Sequence, residues 1–102
     1  MIDFLDAIES WEDTVEHFLA YEDAAEIEGG LINRACVKDL VSALSSPLRH
    51  RLEAADREFI RIRPILVERF PTEFDPKYWG ATEDEWWWWP DRLPAELAHT
   101  QR

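Results

Sequence analysis

The sequence predicts an all-α fold, a small three-helix up-down-up bundle with a Pro- and Trp-rich C-terminal segment packed on it. Three observations carry that expectation. Apolar residues recur at alternating spacings of four and three through the first seventy positions, the period of helices that bury one face. Five of the six prolines stand at or after position 64, where the period is lost. The chain has 102 residues, of which 46% are hydrophobic, enough for one modest core and too few for two ordinary domains. Residues 1–70 are therefore read as the bundle, and residues 71–102 as an irregular Trp-rich segment with short helical turns in the same domain.

Helix one is expected over about 4–28. Phe4, Ile8, Trp11, Val15 and Phe18 form its seam, widened by Leu5 and Leu19. Asp3 is placed to cap the N-terminus, and acids in the first turn suit the helix dipole. Ser10 offers a second cap, but the seam runs through it without a phase shift. Gly29-Gly30 reads as the stop, because glycine readily takes the left-handed C-cap conformation. Helix two is expected over 31–45, with Ile32, Cys36 or Val37, Leu40, Val41 and Leu44 on its buried side. Ser46 before Pro47 reads as the next N-cap, with proline in the first turn where its missing N–H does no harm. Helix three then runs over 47–63 through Leu48, Leu52, Ala55, Phe59 and Ile62. Pro64 should kink it or start a short helix over 64–70 carrying Leu66. Short turns between helices favour antiparallel neighbours.

Beyond Pro71, Asp75-Pro76 and Trp79-Gly80 read as turns, and Thr82-Glu83-Asp84-Glu85 as a capping box ahead of the tryptophans. A further helical turn is expected at Leu93–Leu97.

Charge narrows the function. The chain carries 22 acids against 11 Lys and Arg, a net charge of −11. Such a field repels nucleic acid and anionic lipid alike, so neither is an expected partner. Residues 1–30 hold ten acids and no Lys or Arg, whereas residues 31–70 hold eight bases and five acids. An acidic helix packed beside a basic one follows, with pairs such as those to Arg57, Arg61 or Arg63 along the rim. Asp6, Glu9, Asp13 and Glu16 fall within about one quarter of the circumference of helix one. They are either a solvated face or a surface complementary to a basic cleft. The absence of any basic residue across thirty positions favours fast, steered association with a basic partner.

Trp86-Trp87-Trp88-Trp89 cannot all face one bundle surface, since consecutive side chains point in different directions. Two or three would close the end of the core, and the remainder, with Tyr78 and Trp79, would form an aromatic contact surface. Asp56 has two readings. It is an exposed partner of its helical neighbours such as Arg61, or an acceptor for tail backbone or Trp N–H groups.

Chemistry for catalysis is thin. Glu96 and His99 have a di-iron spacing that occurs once, where such sites need a matching pair and two further glutamates. Asp13 with His17, and His50 with Glu53, are read as surface pairs. Cys36, on the expected buried seam, would be an inert thiol. No catalytic set, no metal site and no cofactor is expected. One cysteine, no signal-peptide pattern and no apolar run longer than four residues point to the cytoplasm and away from a membrane.

The expectation is an acidic, non-enzymatic protein-binding protein. Its nearest functional class is an immunity or antitoxin inhibitor that occupies the cleft of a basic enzyme such as a nuclease. Asp6, Glu9, Asp13 and Glu16 would supply charge, and Trp86, Trp87, Trp88 and Trp89 the anchoring contact. The alternative is a structural or adaptor subunit that docks, or forms a homodimer, through the tryptophan tail.

Overall fold

The computed structural model describes residues 3–89 and 92–93, and among them it is all-α, with four α-helices and no strand. They are α1 (Phe4–His17), α2 (Ala24–Lys38), α3 (Ser46–Arg69) and the short α4 (Pro76–Trp79). Single 3₁₀ turns follow at Phe18–Ala20, Val41–Ala43 and Trp86–Trp88. No helix among the described residues is long and apolar enough to cross a membrane. The expected helical turn at Leu93–Leu97 extends outside the described residues.

Side-chain caps define the helix starts. The Asp3 carboxylate accepts from the backbone N–H groups of Leu5 (3.0 Å) and Asp6 (3.3 Å). Asp23 caps α2 through the Ala25 N–H (2.7 Å), and Asp75 caps α4 through the Lys77 N–H (3.0 Å). Each satisfies donors that the first helical turn leaves open. At α3 the cap is Ser45, whose hydroxyl accepts from Leu48, so the start lies one residue earlier than Ser46-Pro47 suggested. Gly80 ends α4 in the left-handed region at φ 63°. The Thr82–Glu85 box forms half its pattern: Glu85 accepts from the Thr82 N–H at 3.0 Å, but only a 3₁₀ turn follows.

Helix two, expected to reach 45, ends at Lys38, since beyond Val37 the chain offers only half-buried Leu40 and Val41 and turns into a 3₁₀ segment at Val41–Ala43. Three further differences from the expected helices bear on packing. The first helix ends at His17, and the chain extends at Tyr21 before α2 begins. Its seam runs out there, since the position after Phe18 that would continue it is Glu22. Gly29 and Gly30 then lie inside α2, not at a helix end. Gly30 is there for packing: a Cβ on it would stand 2.7 Å from the Phe18 ring and 2.7 Å from the Thr14 methyl. Around Gly29 there is nothing within 4 Å. Adjacent glycines should therefore respond with opposite signs. Gly30→Ala is expected to lose about 1–3 kcal/mol by overpacking against buried Phe18. Gly29→Ala is expected to gain about 0.5–1 kcal/mol, because alanine holds a helix better. Urea unfolding of both variants checks this, and an equal response would refute the close approach of α1 and α2.

The third difference is Pro64. Rather than starting a new helix, it sits within a continuous α3. Pro64 is itself exposed, on the side of α3 away from the core. Ile62, Arg63 and Leu66, all buried, hold both flanks against the core.

The seams of α1 and α3 are the expected ones. Ile8, Trp11, Val15 and Phe18 face Leu52, Ala55, Phe59, Ile62 and Leu66, all buried. Phe59 is the hub, with ring centroids of Trp11, Phe18, Trp86 and Phe74 at 5.4, 5.6, 5.8 and 6.4 Å. In α2 the buried side is Ile27, Gly30, Leu31, Arg34 and Val37. That register exposes Ile32 and Cys36, both expected inside. Cys36 is therefore not a buried, packing-protected thiol.

Candidate functional site

Two surfaces and one buried centre emerge from these elements. The buried centre is built from charge. Arg34, Asp56 and Arg63 are 5%, 4% and 4% exposed, a burial that charged groups tolerate only when paired and hydrogen-bonded. Arg34 on α2 donates from Nε to Asp56 Oδ1 (3.0 Å) and from Nη2 to Oδ2 (3.2 Å). Asp56 on α3 also accepts from the Trp11 indole N–H of α1 at 3.0 Å. One carboxylate thus ties all three long helices. The exposed reading of Asp56 is overturned: it is buried and accepts the Trp11 indole N–H of helix one.

The tail is held by the two arginines. Arg63 donates from Nη1 to the carbonyl oxygens of Trp86 (3.3 Å) and Trp89 (2.9 Å). The Arg34 guanidinium lies 4.7 Å from the Trp87 ring centroid and 5.5 Å from that of Trp86, in cation–π range. Trp86, Trp87 and Trp88 are 5%, 1% and 5% exposed. Trp89 is half-buried, with its indole N–H donating to the Thr82 carbonyl and Arg92 over its ring at 4.0 Å. The folded chain therefore buries three of the four tryptophans expected as contact residues, because a 3₁₀ turn lays them against α2 and α3 beside Arg34, Phe59 and Arg63. Exposed aromatic surface in this region is mainly Tyr78.

The first surface is acidic. Asp6, Glu9, Asp13 and Glu16 are all exposed on α1, as their spacing required. Among the described residues Asp6, Glu9 and Glu16 have no ion-pair partner, and Asp13 meets only His17 at 3.5 Å. A hydrogen bond to the Asp13 carbonyl, then the Asp13 carboxylate, holds the His17 imidazole above its usual range. Asp13, Glu16 and His17 bring their ligand atoms within 4.8 Å of one another, which their helical spacing alone produces. Expected rim pairs take other forms: Glu12 reaches Arg51 on α3 (3.0 Å), Arg61 pairs with Glu58 on its own helix, and Arg63 turns inward. His50 is exposed and Glu53 half-buried on α3, while Glu96 and His99 lie outside the described residues.

The second surface is a groove of about 460 Å³ between α1 and α3. Val15, Ala55 and Ile62 form its floor, and Leu19, 39% exposed, its edge. Glu16 belongs both to this groove and to the acidic face. Nothing in the apolar periodicity announces it, since it is formed jointly by residues of α1 and α3, among them the small Ala54 and Ala55.

These features define an all-α acidic domain with a buried arginine–aspartate–tryptophan centre. No family model matches the chain, and neither a curated protein nor a solved structure proves significantly similar to it.

Proposed function

We propose that this chain is an acidic protein-binding protein of the immunity or antitoxin kind, neutralising a basic enzyme such as a nuclease by occupying its cleft. The observation that carries the reading is the face of Asp6, Glu9, Asp13 and Glu16. These four exposed carboxylates lie on a helix without a Lys or Arg, and three of them make no ion pair among the described residues. Fixed unpaired charge of one sign accelerates association with a surface of the other and contributes little to folding. The groove at Val15, Leu19 and Ile62 adjoins this face and supplies the apolar anchor that buried tryptophans do not. In this reading the protein is not an enzyme, binds no nucleic acid directly, and acts in the cytoplasm as an up-down-up three-helix bundle. Paired positions support that order: Glu12 with Arg51 and Leu19 with Arg69 advance together, whereas Thr14 with Asn33 and Phe18 with Gly30 run oppositely.

Reversing all four acids to Lys should leave the circular dichroism spectrum and melting transition cooperative, since none is buried. Affinity capture with wild-type and reversed protein from the native host, read by mass spectrometry, identifies a partner that only the acidic form retains. The association rate of that purified partner should fall at least about tenfold as salt rises from roughly 0.05 to 0.5 M. A salt-independent rate, or equal capture by the reversed form, would remove the acidic face from the interface. Unfolding of the reversed form would make these acids structural.

A further inference from the structure

Three of the five large apolar side chains that the described residues leave exposed lie along one edge of the molecule. Leu19, 39% exposed, edges the groove between α1 and α3. Ile65, 42% exposed, follows Arg61 by one turn on the groove side of α3, and Leu5, 41% exposed, stands two turns before Glu12 on the groove side of α1. Exposed Ala54 joins them from the α3 wall. Val15, Ala55 and Ile62 beneath are already buried, so whatever lies here is held by the banks of the groove and not by its floor. Single exposed leucines are ordinary, whereas several gathered on one edge mark a contact surface.

The opposite edge of the same helix pair is filled. There Gly30 of α2 packs on Phe18 and Thr14, Asn33 donates to the Thr14 hydroxyl at 3.0 Å, and Arg34 reaches Asp56. On the open edge the two walls run the same way, since Glu12 meets Arg51 and the Leu19 carbonyl accepts from Arg69 at 3.0 Å. From Arg51 to Ile62 the α3 wall rises about 16 Å, or roughly three helical turns. A segment lying along it meets no strand among the described residues with which to pair. Its backbone N–H and C=O groups must then be satisfied within the segment itself, as in a helix.

Charge selects the sequence of that helix. The cations of the α3 wall are engaged, Arg51 with Glu12 (3.0 Å) and Arg61 with Glu58 (2.9 Å). On the α1 bank Glu16 makes no ion pair among the described residues, and Glu9 is close enough to act on the Arg51 guanidinium. A second copy of this chain would bring its own charge of −11 to the same bank and be repelled. We propose that the open edge seats an amphipathic helix of a basic partner protein, its apolar stripe against Leu19, Ala54 and Ile65 and its Lys or Arg side chains against Glu9 and Glu16. The sign of the partner's charge rests on the inhibitor reading above, and the helix and its seat go beyond it.

Nuclear magnetic resonance of full-length protein with labelled Leu, Val and Ile methyl groups tests this against three capped peptides of about fourteen residues. One carries Leu at i, i+3, i+7 and i+10 with Lys and Ala elsewhere. A second keeps that composition with the order of Leu scrambled, and a third replaces every Lys by Glu. The first should shift the Leu19 and Ile65 methyl signals saturably and bind at least about tenfold more tightly than the scrambled peptide, and the third should not bind. Ala54→Phe, which fills the groove from an exposed position, should weaken the first peptide by a similar factor. If that variant does not fold, the place of the shifts and the ranking of the peptides on wild-type protein still decide. Equal binding of the ordered and scrambled Lys peptides would overturn the helix seat and leave the acidic face standing. Equal binding of the Lys and Glu peptides would overturn the seat and the charge reading together. Shifts confined to Ile32, or a dimer of the chain that already covers Leu19 and Ile65, would overturn the seat as well.

Discussion

Asp56→Ala should remove about 3–5 kcal/mol of stability, the loss expected when one partner of a buried ion pair is deleted and the other stays buried. Arg34 would be left 5% exposed without its bidentate carboxylate, and the Trp11 indole N–H would lose its acceptor as well. A small domain has about 5–15 kcal/mol in total, so the variant should sit near its unfolding midpoint in little or no denaturant. Asp56→Asn keeps an acceptor for Trp11 and removes only the charge, so it should fall between. Removing both charges together, as Arg34→Leu with Asp56→Leu, should recover much of the loss, because the pair itself adds little over packed apolar groups. Urea unfolding of the four proteins reads all of this. A loss under about 1 kcal/mol for Asp56→Ala would mean that solvent reaches this centre.

That centre also marks the limit of what the sequence discloses. The seams of α1 and α3 are legible because each is a local period, and Trp11, Phe59 and Leu66 are buried where it puts them. Arg34 and Asp56 lie 22 positions apart, and nothing within one helical turn of either reports the other. Spacing treats a charge on a seam as an interruption, so it selects Ile32 and not Arg34; of the expected α2 side, Val37 is buried whereas Ile32 and Cys36 face outward. Gly29-Gly30 has the same origin. Glycine can end a helix or admit a neighbouring ring, and only the position of Phe18 distinguishes the two. One local signal did mark the true boundary: Asp23 followed three residues later by Glu26 is a helix-start pattern, and Asp23 caps α2. The acidic face is readable because spacings of three and four place its acids on one side of a helix without any long-range contact.

A chain ending at Pro71 should not fold. It would lack Phe74, Trp86, Trp87 and Trp88, all of them 5% exposed or less in the intact protein. Each buried aromatic contributes roughly 1.5–3 kcal/mol, so the four together approach the whole stability of a domain this size. The loss reaches further than area. Arg63, 4% exposed, would lose the Trp86 and Trp89 carbonyls, and Arg34 would lose the rings that cover it. Phe59 would lose two of the four rings packed round it. The fragment should therefore keep helical far-ultraviolet circular dichroism, bind a hydrophobic dye and melt without a cooperative transition. A monomeric fragment with a sharp transition near that of the full chain would mean the tail decorates a finished bundle. Single substitutions then divide the tryptophan run by burial. Trp87→Ala, at the fully enclosed position, should cost about 3–5 kcal/mol. Trp89→Ala should cost about 1 kcal/mol or less, since its ring is half-buried and its indole N–H bonds only to a loop carbonyl. Equal losses at both positions would place Trp89 in the core as firmly as its neighbours, leaving Tyr78 as the one aromatic of this region that a partner could reach.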